Sequence, residues 1–179
     1  MAKTVITLPS FGLTDPGADK SIMWDDSASA LTITGPAGDP YFMARLSGDQ
    51  TITDNTETVV AFASEDYDSG SCFNTTNYRF TPNVAGYYYI GARLQLGGSS
   101  PEEGSCQLRI DGNKSNGANF YRVDGATTDA YYASFVRYAN GSSTYFDVLA
   151  YQNVGSGSVT ATAGTSSNFY GWRIEKWQV

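Results

Sequence analysis

In the run "FTPNVAGYYYIGARLQL", residues 80–96, apolar and polar side chains alternate with a period of two over the last ten positions. Tyr88, Ile90, Ala92, Leu94 and Leu96 share one side of an extended chain, and Tyr87, Tyr89, Gly91, Arg93 and Gln95 share the other. That period belongs to a β-strand with one face in a core. Tyr87 and Tyr89, however, load the opposite face with aromatic area that an ordinary solvent face does not carry.

The same conflict recurs downstream. In "DAYYASFVRY", Tyr131, Ala133 and Phe135 alternate with Tyr132, Ser134, Val136 and Tyr138. In "TYFDVLAY", Phe146, Val148 and Ala150 alternate with Tyr145, Leu149 and Tyr151. A single sandwich has one core, so strands apolar on both faces point to oligomerisation. Tyr87, Tyr89, Phe135, Tyr145 and Tyr151 are the candidate intersubunit contacts.

Other strand patterns, "YFMARLS", "ETVVAFAS", "SCQLRID", "NFYRV" and "NFYGWRIEKW", are separated by turn signals, and no segment shows a capped 3.6-residue period. About eight strands at regular spacing predict an all-β sandwich or barrel. The 19 Gly and 13 Tyr suit that class, since Gly serves tight turns and aromatic rings fit a pleated surface. Upstream, Ile22–Trp24 and Leu31–Thr34 flank the polar "DDSAS" and predict a small hairpin. An isolated hairpin is marginal in water, so this segment must dock on something larger. "GPAGDP" then marks a boundary, giving residues 1–37 as an N-terminal segment and 38–179 as the main domain.

Composition removes several function classes. There is no His, which excludes Ser-His-Asp and Cys-His nucleophilic systems and His-ligated zinc. The net charge is −7 and the eleven Lys and Arg are scattered, so neither nucleic acid nor an anionic membrane is an expected partner. No run of residues is apolar enough for a membrane span or a secretory leader, which leads to the expectation of a product that is cytoplasmic at synthesis or leaves the cell by some other route. Cys106 alternates with Leu108 and Ile110 and reads as a small core hydrophobe, while a bridge to Cys72 stays open.

"YRFTPNVAGYYYI" resembles the strand–turn–strand of the complement C1q and tumour-necrosis-factor jelly roll. "LRIDGN", "YFDVLAY" and "SSNFYGWRI" resemble later strands of that family in the same order, so that the likeness spans residues 41–177. The resemblance implies an antiparallel two-sheet jelly roll packed as a homotrimer. The collagen-like stalk of the animal proteins is missing, as there is no Gly-X-Y repeat. "SIMWDDSASALTI" is similar instead to a segment of bacteriophage tail-fibre proteins, and "DYDSGSCFNTTNYRFTPNVAGYY" resembles a phage branch of the jelly-roll family. This implies a virion protein made in the host cytoplasm and released by lysis. Ile22, Trp24 and Leu31 would then anchor it to the particle.

Catalytic chemistry finds little support. Glu65, Asp66 and Asp68, or Glu102 and Glu103, would be the carboxylates of a glycoside hydrolase, but both clusters read as solvated turns. No cofactor is expected. Asp124 and Asp129 in "VDGATTD" are candidate calcium ligands, since relatives of the resembled family sometimes hold that ion, though no loop motif accompanies them.

The loops "GGSSPEEGS", "RVDGATTDA" and "QNVGSGSVTATAGTSSN" combine small polar residues with flanking aromatics, as adaptable binding surfaces do. Antiparallel strands reverse direction, so these three loops share one end of the molecule, with "DGNKSNG" and "YANGSS" at the other. Ser99, Glu102, Glu103, Asp124, Thr127, Asp129, Asn153, Ser156, Ser158 and Thr160 are therefore the candidate receptor-contacting residues. The reading is a non-enzymatic, trimeric virion fibre knob that attaches to a host-surface glycan or protein. A capsid decoration protein is the alternative, ahead of a polysaccharide-degrading enzyme.

Overall fold

The computed structural model describes residues 21–25, 30–34, 39–98, 103–122, 128–155 and 157–174. The chain divides into two compact units, Met1–Gly38 and Asp39–Val179. In the first, β1 (Ser21–Asp25) and β2 (Ala30–Thr34) form an antiparallel hairpin. Its register sets Ile22 opposite Ile33 and Trp24 opposite Leu31, so the apolar positions fall in cross-strand pairs.

The second unit is a two-sheet antiparallel jelly roll. Its strands in chain order are β3 (Tyr41–Arg45), β4 (Gln50–Thr53), β5 (Thr58–Val59), β6 (Ser64–Asp68), β7 (Phe73–Asn74) and β8 (Arg79–Phe80). There follow β9 (Ala85–Gly98), β10 (Glu103–Ile110), β11 (Asn113–Arg122), β12 (Thr128–Asn140), β13 (Phe146–Asn153), β14 (Ser158–Ala161) and β15 (Asn168–Ile174). One sheet runs β11-β10-β13-β8-β7, with β5 also paired to β13. The other runs β4-β14-β9-β15-β3-β6, with β12 on the second side of β9.

The long alternating stretch organises the second sheet. Along one edge, β9 pairs with β12 from Ala85 opposite Asn140 to Gly97 opposite Thr128. Along its other edge it pairs with β15 and β14 in tandem. Tyr88, Ile90, Ala92, Leu94 and Leu96 are all buried, as period two requires. Tyr88 closes its own corner by donating its hydroxyl to the Val84 carbonyl oxygen at 2.6 Å.

Facing rings fill the space between the sheets. Phe42 stacks on Phe80 at 4.2 Å between centroids and meets Phe169 edge-on at 4.8 Å. Each such side chain contributes about 1.5–3 kcal/mol by burial. Cys72 and Cys106 are both buried and both free. Desolvation pushes the Cys106 thiol up to about 12.

Three expectations change. "SEDYDSG" forms the edge strand β6 rather than a free turn; Asp66 pairs with Arg45, and Asp68 accepts a hydrogen bond from the Phe73 amide at 2.8 Å. "NKSNG" belongs to β11, so the turn after β10 shrinks to Asp111 and Gly112. Within "QNVGSGSVTATAGTSSN", residues 158–161 form β14, which docks on β4 and the end of β9.

Candidate functional site

The outward face of the β9 sheet is its most distinctive surface. Tyr87, Tyr132, Tyr138, Trp172 and Val136 are exposed at 55, 54, 53, 47 and 44%. Strand register explains why they converge. Tyr87 lies between Tyr138 and Ile174, Tyr89 between Val136 and Trp172, and Arg93 between Tyr132 and Asn168. Alternate residues of three adjacent strands therefore build one apolar sheet face.

The rings order one another. Tyr89 stacks on Trp172 at 4.6 Å, Tyr170 lies nearly parallel to Trp172 at 6.2 Å, and Tyr87 meets Tyr138 edge-on at 5.5 Å. Tyr170 lies across Gly91, where an added Cβ would come within 2.6 Å of the ring. The glycine in "YIGARL" thus makes room for a tyrosine from the neighbouring strand. Burial raises the Tyr170 pKa above the ordinary tyrosine range. The guanidinium of Arg93 sits 5.7 Å over the Tyr132 ring. At the sheet edge, Tyr41 and Tyr67 extend the apolar surface with rings 5.7 Å apart.

Of the five candidate intersubunit residues, Tyr87 and Tyr89 belong to this face. Phe135 does not. It faces inward, 8% exposed, against Phe146. Its parity with the buried Tyr131 places it in the core, and Tyr132, Val136 and Tyr138 take the outward positions on β12. Tyr145 and Tyr151 belong to the outer side of the other sheet. Tyr145 lies beneath Arg79, and Tyr151 donates its hydroxyl to Asn55 Oδ1 at 2.9 Å.

Register also fixes the two ends of the jelly roll. Gly97 faces Thr128 and Asn153 faces Glu103, which brings together the connections after β9, β11 and β13. Ala85 faces Asn140 and Trp172 faces Tyr41, so the main domain begins and β15 finishes at the opposite end. At the first end, Asp54 accepts a hydrogen bond from the Val154 amide at 2.7 Å, and the Asp54 amide donates to the Gly157 carbonyl oxygen at 3.2 Å. These bonds tie the turn after β4 to the loop after β13. Ser99, Glu102, Asp124, Thr127 and Ser156 lie outside the described residues. Glu103 opens β10 and Asp129 lies in β12 opposite Leu96, both in strands rather than loops, with side chains outside the described set. Ser158 and Thr160 are likewise strand residues, in β14, while Asn153 ends β13. Of the calcium candidates, Asp124 and the Asp129 side chain therefore lie outside what the structure describes.

The outer side of the β10–β13 sheet carries a feature that sequence reasoning missed. Ser105, Gln107, Asp147 and Leu149 are buried there. Arg109 grips Asp147 with two hydrogen bonds, Nε to Oδ1 at 2.6 Å and Nη2 to Oδ2 at 2.7 Å. Alternation in "SCQLRID" turns Gln107 and Arg109 away from the core and does not report that their side of the sheet is covered. The available signal was the facing pair, because Arg109 lies opposite Asp147 in the register.

No family model matches the sequence, and no curated protein matches it. Solved structures do match the fold. The globular domain of zebrafish complement 1qA superimposes with a TM-score of 0.55 at 15% identity, over 77% of this chain and 98% of that one. Murine APRIL gives 0.60 at 8% identity, over 76% and 99%. The Eiger TNF of S. frugiperda gives 0.55 at 9% identity, over 79% and 94%. The main domain therefore has the C1q/TNF-like jelly-roll fold.

Proposed function

We propose that this chain is a non-enzymatic, homotrimeric virion fibre protein whose jelly-roll knob attaches to a glycan or protein on the host surface. The observation that carries the trimer is the exposed aromatic face of the β9 sheet, from Tyr132 across Tyr87 to Trp172. Burying such a face against like subunits removes it from water by the same effect that builds the core. A threefold arrangement suits the fold, since the C1q/TNF jelly roll is one that associates in threes. The N-terminal hairpin, with Ile22, Trp24 and Leu31 in paired register, is the element that would join the knob to the particle. Its likeness to tail-fibre segments supports that role.

In this arrangement the connections after β9, β11 and β13 form the distal tip, because the main domain begins at the opposite end. Sedimentation velocity of the purified chain should give a single trimeric species. Immunogold labelling of particles should place it at fibre tips, and the purified chain should compete with particles for adsorption to host cells. Labelling spread over capsid faces would assign it to head decoration instead.

A further inference from the structure

The cluster behind Tyr145 contains two guanidinium groups and a single buried carboxylate between them. Among the described residues, Arg45 is paired with Asp66, Lys114 with Glu57, Arg173 with Asp39 and Arg109 with Asp147. Arg79 differs. Its nearest carboxylate oxygen is Asp147 Oδ2, 3.7 Å from its Nε and beyond hydrogen-bond reach. That oxygen already accepts from Arg109. The Arg79 Nε is buried without a hydrogen bond. Two guanidinium groups thus share one carboxylate, leaving a net positive charge on a chain whose overall charge is −7.

This charge is also held in place. The Arg79 guanidinium carbon lies 3.9 Å from the Tyr145 ring centroid, a cation–π shelf. The shelf is pinned in turn: Asp111 Oδ1 accepts from the Tyr145 amide at 2.9 Å, and the Asp111 amide donates to the Tyr145 carbonyl oxygen at 2.9 Å. On its other side, Arg79 follows Tyr78, a non-glycine residue in the left-handed region at φ 61°. A bulky side chain there is costly and persists only where surrounding contacts impose it. They do so here through the Asn74 turn, in which Tyr78 N donates to Asn74 O at 2.8 Å and Asn74 Oδ1 accepts from the amides of Thr76 and Asn77. The side chain of Arg79 remains 38% exposed, beside the exposed, uncharged Asn74, Thr75, Thr76 and Asn77.

From this geometry we infer that Arg79, on its Tyr145 shelf, binds the carboxylate of an acidic sugar, with the Thr75 and Thr76 hydroxyls and the Asn77 carboxamide of the adjoining turn receiving the sugar hydroxyls. A guanidinium of fixed plane matches a carboxylate's two oxygens. The turn offers exposed polar neutral groups, Asn74, Thr75, Thr76 and Asn77, which suits a polyol rather than an apolar peptide side chain. The site lies on the sheet that does not carry the aromatic face, so it stands independently of trimerisation and of the tip loops.

The test is titration of the full chain with N-acetylneuraminic acid, D-glucuronic acid and D-glucose, read by saturation-transfer NMR and calorimetry. At least one acidic sugar should bind and glucose should not. Arg79→Gln should weaken that binding by about tenfold or more, whereas Tyr145→Phe, which keeps the ring, should leave it within about twofold. Thermal midpoints confirm folding. If Arg79→Gln does not fold, Arg79→Lys serves, since it keeps the charge and loses the planar fork. The inference is overturned if glucose binds as well as the acids, or if neither acid binds. It also fails if the folded Arg79 variant titrates like the parent, or if acetate or an Asp-Glu peptide competes as well as the sugar.

Discussion

Gly171 shows how one missing side chain closes a sheet. A Cβ at this position would lie 2.6 Å from Ile90 Cδ1, 2.9 Å from the Tyr89 carbonyl oxygen and 3.1 Å from Phe42. The isoleucine tip can turn aside, but the backbone oxygen belongs to the paired strand and cannot. Gly171→Val should therefore destabilise the domain by about 1–3 kcal/mol, although Val is the better strand former. Thr160→Ser in β14 should stay within about 0.5 kcal/mol, with denaturant midpoints providing the comparison. Tyr88 gives a pH test. Desolvation raises its pKa to about 12 from an ordinary value of 10, so the folded state holds its proton more firmly than the unfolded state does. Its contribution is complete below pH 10 and is lost as the pH rises towards 12. Tyr88→Phe should flatten that alkaline slope in thermal midpoints measured across this range. At this scale the sequence was informative about inward and outward positions in β9, because period two reports facing directly. It misled at Phe135, where a strand apolar on both faces suggested an interface while parity with Tyr131 already placed the ring inside.

At the scale of elements, the pairing of β10 with β13 places Arg109 across from Asp147 and buries the carboxylate to 1% exposure. A buried pair contributes little net stability, but breaking it leaves a charge without compensation. Arg109→Met should cost about 3–5 kcal/mol, towards the lower end because Arg79 remains nearby. The double variant Arg109→Met with Asp147→Leu should recover most of that loss, as urea unfolding of the three proteins would show. Strand length decided which elements could be read from sequence. β9 and β12 are long and regular, with bulky residues at every second position. β5, β7 and β8 contain two residues each, too few for a period. β14 is composed of Ser, Val, Thr and Ala and exists because β9 extends beyond β15 and leaves an edge to cover. Such an element is specified by its neighbour's overhang, which no local window contains.

For the whole molecule, the aromatic face is where fold and assembly meet. Within one subunit, Tyr132, Tyr138 and Trp172 remain about half exposed, and the rings of Tyr89, Tyr170 and Trp172 form an ordered stack on the outward side of the β9 sheet. Charges placed on this face should separate the subunits without unfolding them, because the core lies on the other side of the same strands. Tyr132→Glu with Trp172→Glu should convert the trimer to a monomer in sedimentation velocity while far-ultraviolet circular dichroism stays that of the parent. Control substitutions on the opposite sheet, such as Thr76→Glu in the exposed turn after β7, should leave the trimer intact. Removing residues 1–38 should also preserve it, since they form a separate unit and the aromatic face belongs wholly to the other. A monomer from the unmodified chain at micromolar concentration would show that the face serves a different partner. A double variant that unfolds would show that the stacked rings hold the sheet together, a role that Tyr132→Ser with Trp172→Ser would reveal without introducing charge.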